Sequence, residues 1–125
     1  MQILQGTLKN PTSIVGIGLH SGRKVRVDLL PAAANSGITF LRTDQAESRE
    51  VQASVENISA TNLSTTIGFG PSSVATIEHL MAALSFLQID NIRVLIDGSE
   101  LPILDGSAEP FITAIKHPCN RITRS

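Results

Sequence analysis

An acid and an imidazole stand side by side at Glu78-His79, within the apolar run from Val74 to Leu87. A carboxylate there can serve as a general base, and a neutral imidazole can ligate a metal ion. Ionisable groups among apolar neighbours cost free energy unless something compensates them, and the compensation is often functional. The competing reading is structural: a buried histidine bonded to a carbonyl, with Glu78 paired to an arginine. The pair alone does not define a zinc protease. An HExxH motif needs two histidines four residues apart, and the inverted H-x-x-E-H order needs a histidine where Ala75 stands. Catalytic zinc takes three protein ligands and a water, and one histidine falls short of that.

Three other segments carry side chains of chemical interest. His20 lies in Gly18-Leu19-His20-Ser21-Gly22, where glycines let a backbone approach a ligand closely, although a plain turn residue is the simpler reading. Asp105-Gly106-Ser107 reads first as a helix cap; its carboxylate would also suit the support of a histidine. Glu100-Leu101-Pro102, just before it, says little alone. Leu63-Ser64-Thr65-Thr66 is most simply an exposed strand; the functional alternative, that its hydroxyls line a substrate groove, does not follow from spacing alone.

The elements that must position these groups follow from periodicity. At about 100° per residue, Ile77, Leu80, Met81, Leu84 and Leu87 fall on one stripe of a helix over 74–87, with Ser72 or Ser73 as N-cap and Asp90-Asn91 beyond its end. His79 points roughly 160° from that stripe. Around it are Ala75, Ala82, Ala83 and Phe86, with Glu78 at the edge, so this helix has no polar face and is expected to be covered on both sides. Val25, Val27 and Leu29 alternate with Lys24, Arg26 and Asp28 as a half-buried strand, and Ile92, Val94 and Ile96 form another. Residues 37–42 and 63–69 are further strand candidates, and Thr43 to Glu50 is a polar loop. Asp97-Gly98 signals a turn, and a second helix runs from Ala108 to about Lys116. Strands first, then helix–strand–helix, argue an α+β fold with two helices packed on one face of a mixed or antiparallel sheet. Residues 1–115 read as one domain, and 116–125 as an atypical, disordered tail, basic and without apolar periodicity.

Bulk composition excludes several classes of function. A chain of 125 residues with 42% hydrophobic and 17% charged residues suits a single globular core. The net charge of −1, with no Trp, no Tyr and four Phe, argues against nucleic acid as a partner. Cys119 is the one cysteine, so there is no internal disulfide, and a reducing compartment is expected. No window reaches 18 apolar residues, so no transmembrane segment is expected, and Met1 to Gln5 does not read as a secretory signal.

Taken together and in order, the segments Thr7-Leu8-Lys9, Gly16 to Gly22, Leu63 to Thr66, Thr76-Ile77-Glu78-His79-Leu80, Ile89-Asp90-Asn91 and Glu100 to Ala108 resemble one family. The chain is similar, from about Thr7 to Ile115, to the first domain of the UDP-3-O-acyl-N-acetylglucosamine deacetylases, zinc amidohydrolases of lipid A biosynthesis. The resemblance implies a ribosomal protein S5 domain 2-like fold, the first half of a two-domain sandwich whose helices lie between two outer sheets. It implies His79 as a zinc ligand. It implies Glu78 as the general base that takes a proton from zinc-bound water before attack on the N-acetyl carbonyl. His20 would lie at the site mouth, Leu63, Ser64 and Thr65 would flank the substrate, and Asp105 would support the site.

The chain departs from the family where a second domain would supply an H-K-x-x-D motif, a later general-acid histidine and the groove for the fatty chain. The only histidine after His79 is His117, which has neither the following lysine nor the spaced aspartate. The expectation is therefore a truncated form that supplies one zinc ligand, binds zinc weakly and does not turn over alone. Two alternatives stand beside it: a complementing half that needs a separate second-domain chain, and a non-catalytic binding module.

Overall fold

In the computed structural model, residues 4–62, 64–116 and 122–124 are described. Among these residues, ten strands and two α-helices follow one another. They are β1 (Leu4–Gly6), β2 (Thr12–Ile17), β3 (Lys24–Pro31), β4 (Ile38–Arg42), β5 (Val51–Gln52), β6 (Ile58–Ala60), β7 (Thr66–Ile67), β8 (Val74–Ala75), α1 (Glu78–Phe86), β9 (Ile92–Ile96), α2 (Glu109–Lys116) and β10 (Ile122–Arg124). The fold is α+β. A five-stranded sheet has the order β2-β3-β9-β4-β5, a three-stranded sheet the order β6-β7-β8, and β1 pairs with β10.

The five-stranded sheet is mixed, because β9 runs antiparallel to β3 and parallel to β4. Alternation dictates which side is buried. Val25, Val27 and Leu29 of β3 and Ile92, Val94 and Ile96 of β9 point to one face, where Phe40 of β4 joins them. Leu80, Ala83 and Leu84 of α1 and Phe111 and Ile115 of α2 complete a single apolar cluster with these residues. Both helices therefore lie on one face of the sheet, as the alternation and the order of elements predict. Lys24, Arg26 and Arg93 on the other face are exposed.

The first helix is shorter than its apolar run predicts. Val74 and Ala75 are a strand, not helix: they pair with Ile67 and Thr66 of β7. Thr76 then takes a left-handed φ of 61°. A helix cannot run through that residue, so α1 begins at Glu78 with Ile77 as N-cap. Ser72 and Ser73 do not cap it. Ser72 Oγ accepts from the Arg49 N–H, and Ser73 Oγ donates to the Gly70 carbonyl. At the other end Gln88 is left-handed, and the Gln88 and Ile89 N–H groups return to the Ser85 and Leu84 carbonyls. This doubly bonded stop closes the helix before Asp90. The strand expected over 63–69 is reduced to Thr66–Ile67. The bend expected from Gly16 starts later, because Gly16 and Ile17 belong to β2.

The core stripe of α1 is buried as expected, whereas the opposite side is not covered by the described residues. Ile77, Leu80 and Leu84 are buried, while Ala82 and Phe86 are exposed, Phe86 at 73%. Ala83 is the exception, being buried on the core side instead of beside His79. From the segment beyond α2, Ile122–Arg124 lies antiparallel to Leu4–Gly6. His117 and Cys119 fall outside the described residues.

Candidate functional site

The start of α1 gathers three stretches of chain that are far apart in sequence. The first is the loop before β7. The Ile77 N–H donates to the Thr65 carbonyl at 3.2 Å, and the Thr65 N–H donates to Glu78 Oε1 at 3.1 Å. Glu78 is thus held by a backbone group and not by an arginine. It also stands where the positive end of the helix dipole favours a carboxylate. The second stretch is Ser99–Ile103. Ala75 accepts from the Leu101 N–H and donates to the Ser99 carbonyl. The third is the turn after β2, joined to the second by the bridge from Gly18 to Pro102 and by the bond from the Ile103 N–H to the Ile17 carbonyl.

The fastening between these stretches is Glu100, to which the sequence alone assigns no role. It is 4% exposed and in reach of four donors. The His20 and Ser21 N–H groups donate to its carboxylate at 3.0 and 2.6 Å, His20 Nδ1 lies 3.2 Å from it, and the Thr76 hydroxyl 3.5 Å. The turn fits because Gly18 has no side chain; a Cβ there would meet Ser21 Oγ at 2.6 Å and Glu100 side-chain carbons at 2.9 Å. Burial works against the charged form of Glu100. The N–H groups of Ser21 and His20 outweigh it, and they hold the carboxyl below its ordinary value of 4.5. A visible signal did exist in the sequence: a lone glutamate opening the apolar run Glu100 to Leu104, just after a turn.

A pH dependence follows from that depression. The unfolded chain takes up the Glu100 proton near 4.5, the folded chain only at lower pH. The stabilisation is therefore complete above 4.5 and is lost as pH falls through the lower folded value. Urea denaturation of the wild type is expected to show stability falling more steeply with acid, below this range, than in Glu100→Gln. Parallel acid profiles for the two proteins would refute the assignment.

The expected site residues are distributed as follows. His79 is half-buried on α1, and its side chain has no hydrogen-bond partner among the described residues. Thr65 touches Glu78 through its backbone, Ser64 is its half-buried neighbour, and Leu63 lies outside the described residues. His20 is linked to the turn before α1 through Glu100 and Thr76. Asp105 is exposed and accepts from the N–H and hydroxyl of Ser107, whose own Oγ accepts from the Glu109 N–H. These bonds cap α2, as the sequence predicts. Beside Glu78 is an apolar groove of about 340 Å³, lined by Val55, Ile58, Ile67, Ile77 and Met81 among others. A groove of that size and lining suits an apolar group.

A zinc ion needs more than this chain's described residues offer. Among them no group of three or more His, Cys, Asp and Glu side chains converges. His79 has the donor chemistry of a ligand, but one imidazole does not complete a site.

Comparison with known proteins gives the class and then the family. The relatives that match carry the name of a deacetylase, and the family model gives the same description. It belongs to the family described as LpxC, UDP-3-O-acyl N-acetylglycosamine deacetylase, whose model matches residues 5–122. The UDP-3-O-acyl-N-acetylglucosamine deacetylase of Citrifermentans bemidjiense is 53% identical over 113 residues, covering 90% of this chain and 37% of that protein. The protein of the same name from Syntrophotalea carbinolica is 47% identical over 120 residues, covering 96% of this chain and 39% of that protein. The one from Myxococcus xanthus is 48% identical over 112 residues, covering 90% and 36% respectively. The chain thus spans a little over a third of the length of these curated relatives.

Proposed function

We propose that this chain is the part of a lipid A deacetylase that carries the general base and one metal ligand, acting on UDP-3-O-acyl-N-acetylglucosamine. Glu78 accepts a proton from the attacking water. The water oxygen bonds to the N-acetyl carbonyl carbon, the amide nitrogen takes up a proton as the C–N bond breaks, and acetate and the sugar amine leave. His79 is the zinc ligand from this chain, and zinc supplies Lewis-acid polarisation when bound. His20 stands at the site mouth, Leu63, Ser64 and Thr65 flank the substrate, and Asp105 supports the site from the α2 cap. A cytoplasmic location goes with this reading, in keeping with a single cysteine. The observation that carries it is the bond from the Thr65 N–H to Glu78 Oε1. That bond joins two of the family-like segments at one point and leaves the carboxylate at the rim of a groove.

By itself the chain has one ligand, so it binds zinc weakly and does not turn over. Mixing it with the remaining length of the Citrifermentans bemidjiense relative, made as a separate chain and supplied with zinc, is expected to give deacetylation that neither piece shows alone. Turnover by the 125-residue chain alone, at rates like those of a full-length relative, would overturn the claim of inactivity. Silence in a mixture of two folded pieces would sink the catalytic reading and leave that of a binding module.

A further inference from the structure

We propose that Glu100 is a positioning residue: its buried carboxylate fixes His20 in the Nδ1–H tautomer and ties the turn that carries it to the strained turn in front of Glu78. The inference rests on the functional reading only in placing His20 at the site. Its geometry stands apart from that reading.

Four facts carry it. Glu100 is buried, yet each of its contacts comes from a donor: two backbone N–H groups, the Thr76 hydroxyl and the ring Nδ1 of His20. An ionised carboxylate only accepts hydrogen bonds, so the imidazole nitrogen facing it must hold a proton. The His20 side chain is 48% exposed while that of Glu100 is 5% exposed, so the ring is gripped at one nitrogen and open at the other. Thr76, also in contact with Glu100, is a buried β-branched residue at φ 61°, a backbone state that persists only where surrounding contacts enforce it. One carboxylate therefore enforces two local conformations, and both border the entry to the site.

The chemical consequence is directional. With the proton held at Nδ1, Nε2 of neutral His20 is an acceptor. The mouth of the site then suits a hydrogen-bond donor of the substrate, such as a hydroxyl or an amide N–H, and not a phosphate oxygen. In free imidazole side chains the Nε2–H form is the commoner one, so the arrangement is a departure that can be seen directly.

The test is 15N–1H correlation of the imidazole nitrogens in the full chain at about pH 8, above the ordinary histidine range. His20 is assigned by the loss of its signals in His20→Ala. The wild type is expected to show Nδ1 protonated and Nε2 bare. Glu100→Gln, which can donate to the ring through its amide, is expected to move the proton to Nε2 and exchange the two nitrogen shifts. An Nε2–H form or an averaging mixture in the wild type overturns the proposal. So does a folded Glu100→Gln with an unchanged tautomer. If the variant does not fold, the wild-type spectrum decides alone. None of these readings requires turnover or bound metal, so failure here is separable from failure of the deacetylase assignment.

Discussion

Glu78→Gln, placed in the chain and assayed with the remaining length of a relative, is expected to lower deacetylation by about 10²–10⁴-fold, the usual contribution of a general base. Substrate binding should change little, because the amide keeps the shape of the side chain and still accepts from the Thr65 N–H. The loss should therefore appear in kcat and not in KM. Thermal denaturation of the variant should match that of the wild type. A variant within threefold or so of wild-type turnover would remove Glu78 from the chemistry. It would return the residue to a structural role at the helix start.

The second large effect separates the two sides of the same helix. Leu80 is fully buried in the common core, and Leu80→Ala is expected to cost about 2–5 kcal/mol. Total stabilities are only about 5–15 kcal/mol, so much of the population could unfold. Phe86, six residues along and mostly exposed, should behave otherwise: Phe86→Ala should stay within about 0.5 kcal/mol of the wild type. It should also improve solubility, since Phe86 and Ala82 leave apolar surface open to water. Urea denaturation of both variants checks this. A large loss in Phe86→Ala and a small one in Leu80→Ala would invert the orientation of α1.

Much of the scaffold was legible before any coordinates. Val25, Val27 and Leu29 alternate cleanly because one face of β3 is buried and the other is wet, and the same logic marks Ile92, Val94 and Ile96. The start of α2, with its Asp105–Ser107 cap, follows from local chemistry. The boundary of α1 was not legible. Val74 and Ala75 are apolar in either state, and what makes them strand is pairing to β7 and to Ser99–Leu101. No local pattern reports such a partner. The short strands β5, β6 and β8 escaped for the same reason, since two or three residues cannot display a period. In the candidate site, Glu78 and His79 stood out by contrast with their surroundings. Glu100 did not, because its meaning lies in donors about 80 residues away.

The order of the five-stranded sheet has a consequence for synthesis. Strand β9 sits between β3 and β4, although it follows them by some fifty residues or more. Until Ile92–Ile96 has emerged, the strands of this sheet form only two separate ribbons, β2-β3 and β4-β5, with no ladder joining them. Each exposes a flank awaiting the same late strand, so folding during translation is forced to wait for it. In that interval, transient protection by a chaperone matters most, and a ribosome stalled just short of Ile92 would present an aggregation-prone nascent chain.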